Sequence, residues 1–144
     1  MSEQINSYRD LKVWQAGIEL VVTCYQLTQT FPDSERFGLI SQIRRAAVSV
    51  PANIAEGKGR NQLGEYVHHL GIANGSLMEL ETHIIIAARL GYITHSDFEQ
   101  LTTQSNEVGR MLNGLIAKLK RTQAEASHRR AVREDGVPYD YEEV

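Results

Sequence analysis

A chain of 144 residues, 42% of them apolar, is long enough for one domain with its own hydrophobic core, and only three prolines, Pro32, Pro51 and Pro138, interrupt it, which favours helices over a loop-rich β fold. A formal charge of −3 gives no global attraction to nucleic acid, and no apolar run approaches the roughly 18 to 20 residues of a membrane span. A lone cysteine, Cys24, excludes an internal disulfide and, with a polar Met1 to Tyr8 lacking a signal-like apolar region, leads us to expect a cytoplasmic protein.

In chain order, the first helix is predicted from about Asp10 to Thr30, closed by Phe31-Pro32 because a proline disfavours helical geometry in the residue before it. Asp33-Ser34 is the next cap signal. A second helix is expected from about Glu35 to Glu56, kinked near Ala47 to Pro51. Gly57-Lys58-Gly59-Arg60 reads as the break and Asn61 as the cap of a third, long helix ending near Leu90. Gly91 suits the left-handed position past that helix end, with Tyr92 folding back as its apolar partner. Thr94 opens a fourth helix with Asp97 three residues on, and its heptad runs Phe98, Leu101, Ser105, Val108, Leu112, Leu115, Leu119. Beyond Arg121 the pattern fades. Residues 122–144 hold six acids and three arginines and read as a flexible acidic tail, disordered or ordered by a partner, leaving 1–121 as a neutral folded body. Short links between four helices imply an all-α, antiparallel up-down four-helix bundle.

Two helices carry more apolar surface than one core needs. On helix one, Trp14, Ile18, Val21, Val22 and Tyr25 form one stripe and Val13, Gly17, Leu20, Cys24 and Leu27 a second, together about 220° of the wheel. On helix two, Val48, Ala52 and Ala55 add a small-residue face beside the main stripe. Val13, Leu20, Leu27, Val48, Ala52 and Ala55 are therefore the candidate interface between copies of the chain.

Little points to catalysis. Glu65 and His68 have the Glu-x-x-His spacing of di-iron bundles, but no second such pair exists and both lie opposite the apolar stripe, so no metal and no other cofactor is expected. Cys24 sits in an apolar stripe without a basic neighbour in sequence, and Gly57 to Arg60 is too short for a phosphate loop and follows a helix. No enzyme is expected. Two features remain. Glu81 and Asn74 fall within the apolar stripe of helix three, and a carboxylate there needs a partner or a proton, so pairing with Arg44 or Arg45 is expected. Arg44, Arg45, Lys58 and Arg60 also form a basic cluster around the end of helix two, a candidate nucleic-acid contact.

Val13-Trp14-Gln15-Ala16, Phe31-Pro32, the run from Gln42 to Gly57, Ile72-Ala73-Asn74-Gly75-Ser76-Leu77 and Glu79-Leu80-Glu81 resemble a bacterial family of four-helix bundles encoded in intervening sequences of 23S ribosomal RNA genes. That family includes the accessory variability determinant of diversity-generating retroelements. The resemblance covers about Tyr8 to Arg121. It implies an up-down bundle, a ring-shaped homo-oligomer, usually a pentamer, and no catalysis. Its retroelement members are strongly basic and bind nucleic acid; this chain's neutral body and acidic tail imply that any such binding is weak. Two functions follow: a homo-oligomeric scaffold or adaptor for a protein or RNA-protein partner, or a nucleic-acid-binding accessory protein.

Overall fold

The computed structural model describes residues 7–135. A one-turn 3-10 helix at Tyr8–Asp10, closed by a reciprocal Ser7–Asp10 capping box, leads into α1 (Lys12–Thr28). A second 3-10 turn at Asp33–Glu35 precedes α2 (Leu39–Lys58); α3 (Leu63–Arg89) and α4 (His95–Asp135) complete the chain. Consecutive helices pack side by side and α4 closes against α1, while the diagonal pairs make no backbone contact. The body is the expected all-α four-helix bundle.

The core is drawn from one stripe of each helix. Val13, Leu20 and Cys24 of α1 meet Ile43, Ala47, Val50 and Ile54 of α2, Leu70, Leu77, Leu80 and Ile84 of α3, and Leu101, Val108 and Leu112 of α4, all buried. Small residues set how closely the helices approach. A Cβ built on Gly17 would lie 3.4 Å from Pro51 Cβ, so α1 leaves room for the prolyl ring, and α2 runs through Pro51 without interruption. On the far side of α2, a Cβ on Gly57 would fall 2.8 Å from His69 Cβ and 3.2 Å from the Tyr66 carbonyl. Gly57 is thus the crossing point of α2 and α3. The expected break at Gly57 begins only at Gly59, because tertiary contact keeps that glycine helical.

The helix ends follow local chemistry. Asp33 and Ser34 start the 3-10 turn, and α2 begins at Leu39, whose N–H donates to Glu35 Oε2 at 2.9 Å. The cap of α3 is Gln62 rather than Asn61, and no side chain satisfies its first turn. Gly91 adopts φ +81°, with Gly91 N–H donating to Ala88 O at 3.0 Å and Tyr92 N–H to Ala87 O at 2.9 Å. This is the Schellman pattern, and the Tyr92 ring then packs at a tilt of 49° against Phe31, with ring centroids 5.5 Å apart. Thr94 Oγ1 accepts from Asp97 N–H at 3.1 Å and caps α4.

Burial stops near Leu119, but α4 does not. It continues to Asp135, and residues 121–130 are all exposed. The segment from 122 was expected to be disordered or ordered by a partner; its first fourteen residues are instead an outward extension of α4, which needs no new nucleus once the packed part has formed. Residues 136–144 of the expected tail lie outside the described residues. No helix is long and apolar enough to cross a membrane among the described residues.

Candidate interaction surfaces

The two stripes of α1 sort cleanly. Val13 (4% exposed) and Leu20 (0%) belong to the core, so they are not interface residues, and Leu27 is half-buried. The stripe left outside holds Trp14, Ile18, Val22 and Tyr25, with Val22 46% exposed. Periodicity alone does not say which of two apolar stripes faces inward; the Gly17–Pro51 contact does. On α2, Val48 and Ala52 are exposed and Ala55 half-buried. Those three lie beside the outer stripe of α1, because Gly17 meets Pro51 and Arg44 meets Tyr25 across the antiparallel pair. The result is one apolar face along the α1/α2 seam.

α3 carries a second exposed apolar face that the sequence reading missed. Ile72, Met78, Ile85 and Ile86 are all more than 40% exposed, Met78 most at 59%. Gly71 and Gly75 lie among them, and a Cβ on either would meet nothing within 4 Å. The signal was in the sequence as glycines inside a helix, residues that normally need a reason to be there.

The basic cluster does not assemble. Arg44 and Lys58 are fourteen residues apart on one helix, about 21 Å along its axis. Arg44 Nε donates to Thr28 Oγ1 at 2.9 Å and its guanidinium lies 4.6 Å from the Tyr25 ring centroid. Arg45 is exposed and lines a polar groove with Ser49, Ser76 and Glu79. Lys58 lies over the Tyr66 ring at 5.8 Å. Arg60 donates to Glu56 Oε1 at 2.8 Å, which holds the Glu56 carboxyl below its usual range.

Glu81 does not pair with Arg44 or Arg45. It faces α4, where Ser105 Oγ donates to Glu81 Oε1 at 2.6 Å. Its carboxylate borders a cleft of about 160 Å³ with Phe98, Leu101 and Thr102. On its other side is a polar groove where half-buried Asn74 sits with Arg110 and Asn113. The pairing failed because Glu81 lies at the α4 edge of its stripe, away from α2. Ser105, the one polar break in the α4 heptad, was the available clue, and it is 1% exposed. Glu81→Ala strips a buried hydroxyl of its acceptor and should cost about 1 to 3 kcal/mol. Ser105→Ala leaves a half-exposed carboxylate that water can solvate, so it should cost less. Urea midpoints of both variants check the order.

A polar seam joins α2 to α3 on the other side: Ser49 Oγ and Ser76 Oγ are 2.8 Å apart, and Asn53 Nδ2 donates to Ser49 O at 2.8 Å. Glu65 and His68 are both exposed, and no group of three metal-ligating side chains converges among the described residues. Burial pushes the Cys24 thiol up to about 12, so it is a core side chain with no thiolate at neutral pH.

These features define a four-helix bundle whose distinguishing chemistry lies in its outer faces. The chain belongs to the family of 23S rRNA-intervening sequence proteins, whose model matches residues 9–114. Among solved structures it is similar to a Bacteroides thetaiotaomicron protein of the S23 ribosomal protein family, itself of unknown function. The two share 26% identity with a TM-score of 0.68, over 72% of this chain and 97% of that one. No curated protein matches the chain.

Proposed function

We propose that the protein is a non-enzymatic homo-oligomeric scaffold, five copies being the number the family resemblance favours, that presents repeated surfaces to a protein or RNA-protein partner. The observation that carries this reading is the α1/α2 seam, where Ile18, Val22 and Val48 lie along one apolar face and Tyr25, at its end, carries the Arg44 guanidinium. A single exposed apolar side chain is ordinary; a contiguous face on two adjacent helices is not. Ile18→Glu/Val22→Glu should leave the helical circular dichroism intact, because neither residue belongs to the buried core. The same change should reduce the mass seen by light scattering to the 16.2 kDa of one chain. A double variant that keeps the native mass would show that this face does not hold the assembly.

A second reading, nucleic-acid binding, is favoured by the outward end of α4. From Ala117 to its end at Asp135 it holds six cations, Lys118, Lys120, Arg121, Arg129, Arg130 and Arg133, against three carboxylates, Glu125, Glu134 and Asp135. On this reading the phosphate contacts would lie on this extension and not on α2, and an oligomer would repeat them in every subunit. Binding to single-stranded RNA should be independent of sequence and fall with salt at about −0.7 in log K per log salt for each neutralised phosphate. Titrating labelled RNA at low and physiological salt against the full chain and a chain ending at Arg121 tests it. The full chain should bind with the steeper salt dependence, because the truncated chain keeps Lys118, Lys120 and Arg121 but loses Arg129, Arg130 and Arg133, and both should melt at nearly the same temperature, since residues 122–130 are all exposed. No binding at low salt leaves the adaptor reading alone.

A further inference from the structure

The cleft of about 160 Å³ that Glu81 borders lies on the α3/α4 seam, across the bundle from the α1/α2 seam. Buried Ile84, Leu101 and Ser105 line its inner side, and exposed Ile85, Thr102 and Asn106 line its mouth. The antiparallel helices give it two unlike ends. At one end Ser105 Oγ donates to Glu81 Oε1 at 2.6 Å and fixes the carboxylate. At the other is the half-buried ring of Phe98, seven residues before Ser105 on α4, about 10 Å along the helix axis.

Nothing within this chain uses the charge of that carboxylate. The ion pairs among the described residues are made by Glu56, Glu79 and Glu99, and none by Glu81. Arg110 shares the adjoining polar groove with Glu81, but it is exposed and forms no ion pair with it. Among the described residues no hydrogen bond reaches Glu81 Oε2. Ser105 is the polar break in an otherwise apolar heptad, a place where an apolar side chain would pack without needing an acceptor. The buried serine aims Glu81 and does little to fill the core.

A carboxylate set against apolar walls attracts a cation more strongly than one surrounded by water, because the walls screen it less. The same walls select what carries the charge. Ile84, Ile85 and Leu101 offer nothing to a hydrated inorganic ion, whereas an apolar body on the cation buries surface against them and against Phe98. The size suits one ring, since an apolar cavity of about 150 Å³ holds benzene, and the open mouth leaves space for a short arm towards Glu81.

We propose that the α3/α4 cleft binds a small organic ammonium ion, a primary amine on an aryl body, with the ammonium on Glu81 and the ring against Phe98. The site is complete within one chain, so it does not rest on the oligomeric reading above.

The test titrates the full chain with phenethylamine and, separately, with phenethyl alcohol, its neutral counterpart, while the methyl resonances of Ile84, Ile85 and Leu101 are followed by NMR. The amine should shift all three and saturate at one per chain. The alcohol should bind more weakly by about tenfold or more, the loss expected when a charge-assisted hydrogen bond becomes a neutral one. Glu81→Gln keeps an oxygen for Ser105 and should bring the amine down to the affinity of the alcohol. Thr102→Trp, placed at the exposed mouth, should block both ligands and leave the helical circular dichroism unchanged. A lysine side chain, supplied as acetyl-lysine amide, should bind more weakly than phenethylamine because it leaves the Phe98 end unfilled. No methyl shift at millimolar amine, equal binding of amine and alcohol, or an unchanged affinity in Glu81→Gln would each overturn the proposal. Tighter binding of acetyl-lysine amide would overturn it too, in favour of an amine borne by another protein.

Discussion

Gly57→Leu should be strongly destabilising, costing roughly 3 kcal/mol or more. Overfilling a packed site costs about 1 to 3 kcal/mol even when neighbours yield. Here the neighbours are His69 Cβ at 2.8 Å and the Tyr66 carbonyl at 3.2 Å, atoms tied to the α3 backbone, so the helix itself must move. α2 and α3 make the most extensive contact in the bundle, which is why that movement is expensive. Even alanine should destabilise, because its helix-propensity gain of about 1 kcal/mol is smaller than the clash it creates. The urea midpoint of Gly57→Ala and Gly57→Leu measures both, and unchanged midpoints would mean that the helices do not cross this closely.

Leu20→Ala should cost about 2 to 5 kcal/mol, the range for deleting a fully buried leucine and leaving a cavity. Set against the roughly 5 to 15 kcal/mol that holds an ordinary domain together, this is a large share. The substitution also separates two roles. Leu20 on an interface would change the mass of the assembly and leave the isolated subunit stable; Leu20 in the core, 0% exposed, lowers the unfolding midpoint of a chain whose assembled mass is kept. Denaturant unfolding and light scattering on the same variant read the two effects.

Much of this architecture is written in local chemistry. Four helices, the left-handed Gly91 and the Thr94 cap each follow from neighbours within a few residues, and all three stand in the structure. The misreadings share one cause: they turn on contacts between residues distant in sequence. Gly57 is punctuation by propensity and a crossing point by virtue of Tyr66 and His69. The two apolar stripes of α1 are equivalent until Pro51 faces Gly17, and so Val13 and Leu20 were assigned to the wrong surface. Glu81 was matched to the arginines of α2, although the polar break at Ser105 on α4 lay opposite it. The end of α4 failed differently. Its polar composition resembles that of a disordered tail, but a helix already nucleated by packed residues extends through such a segment at low cost.

The oligomer is the claim on which the functional reading depends, and the mass of the native chain in solution tests it most directly. Light scattering across a dilution series in the micromolar range should give a mass several times 16.2 kDa, with five-fold the value the family resemblance favours. A mass of one chain throughout the series would contradict the account, and would leave the α1/α2 seam and the face of α3 to be covered by another protein.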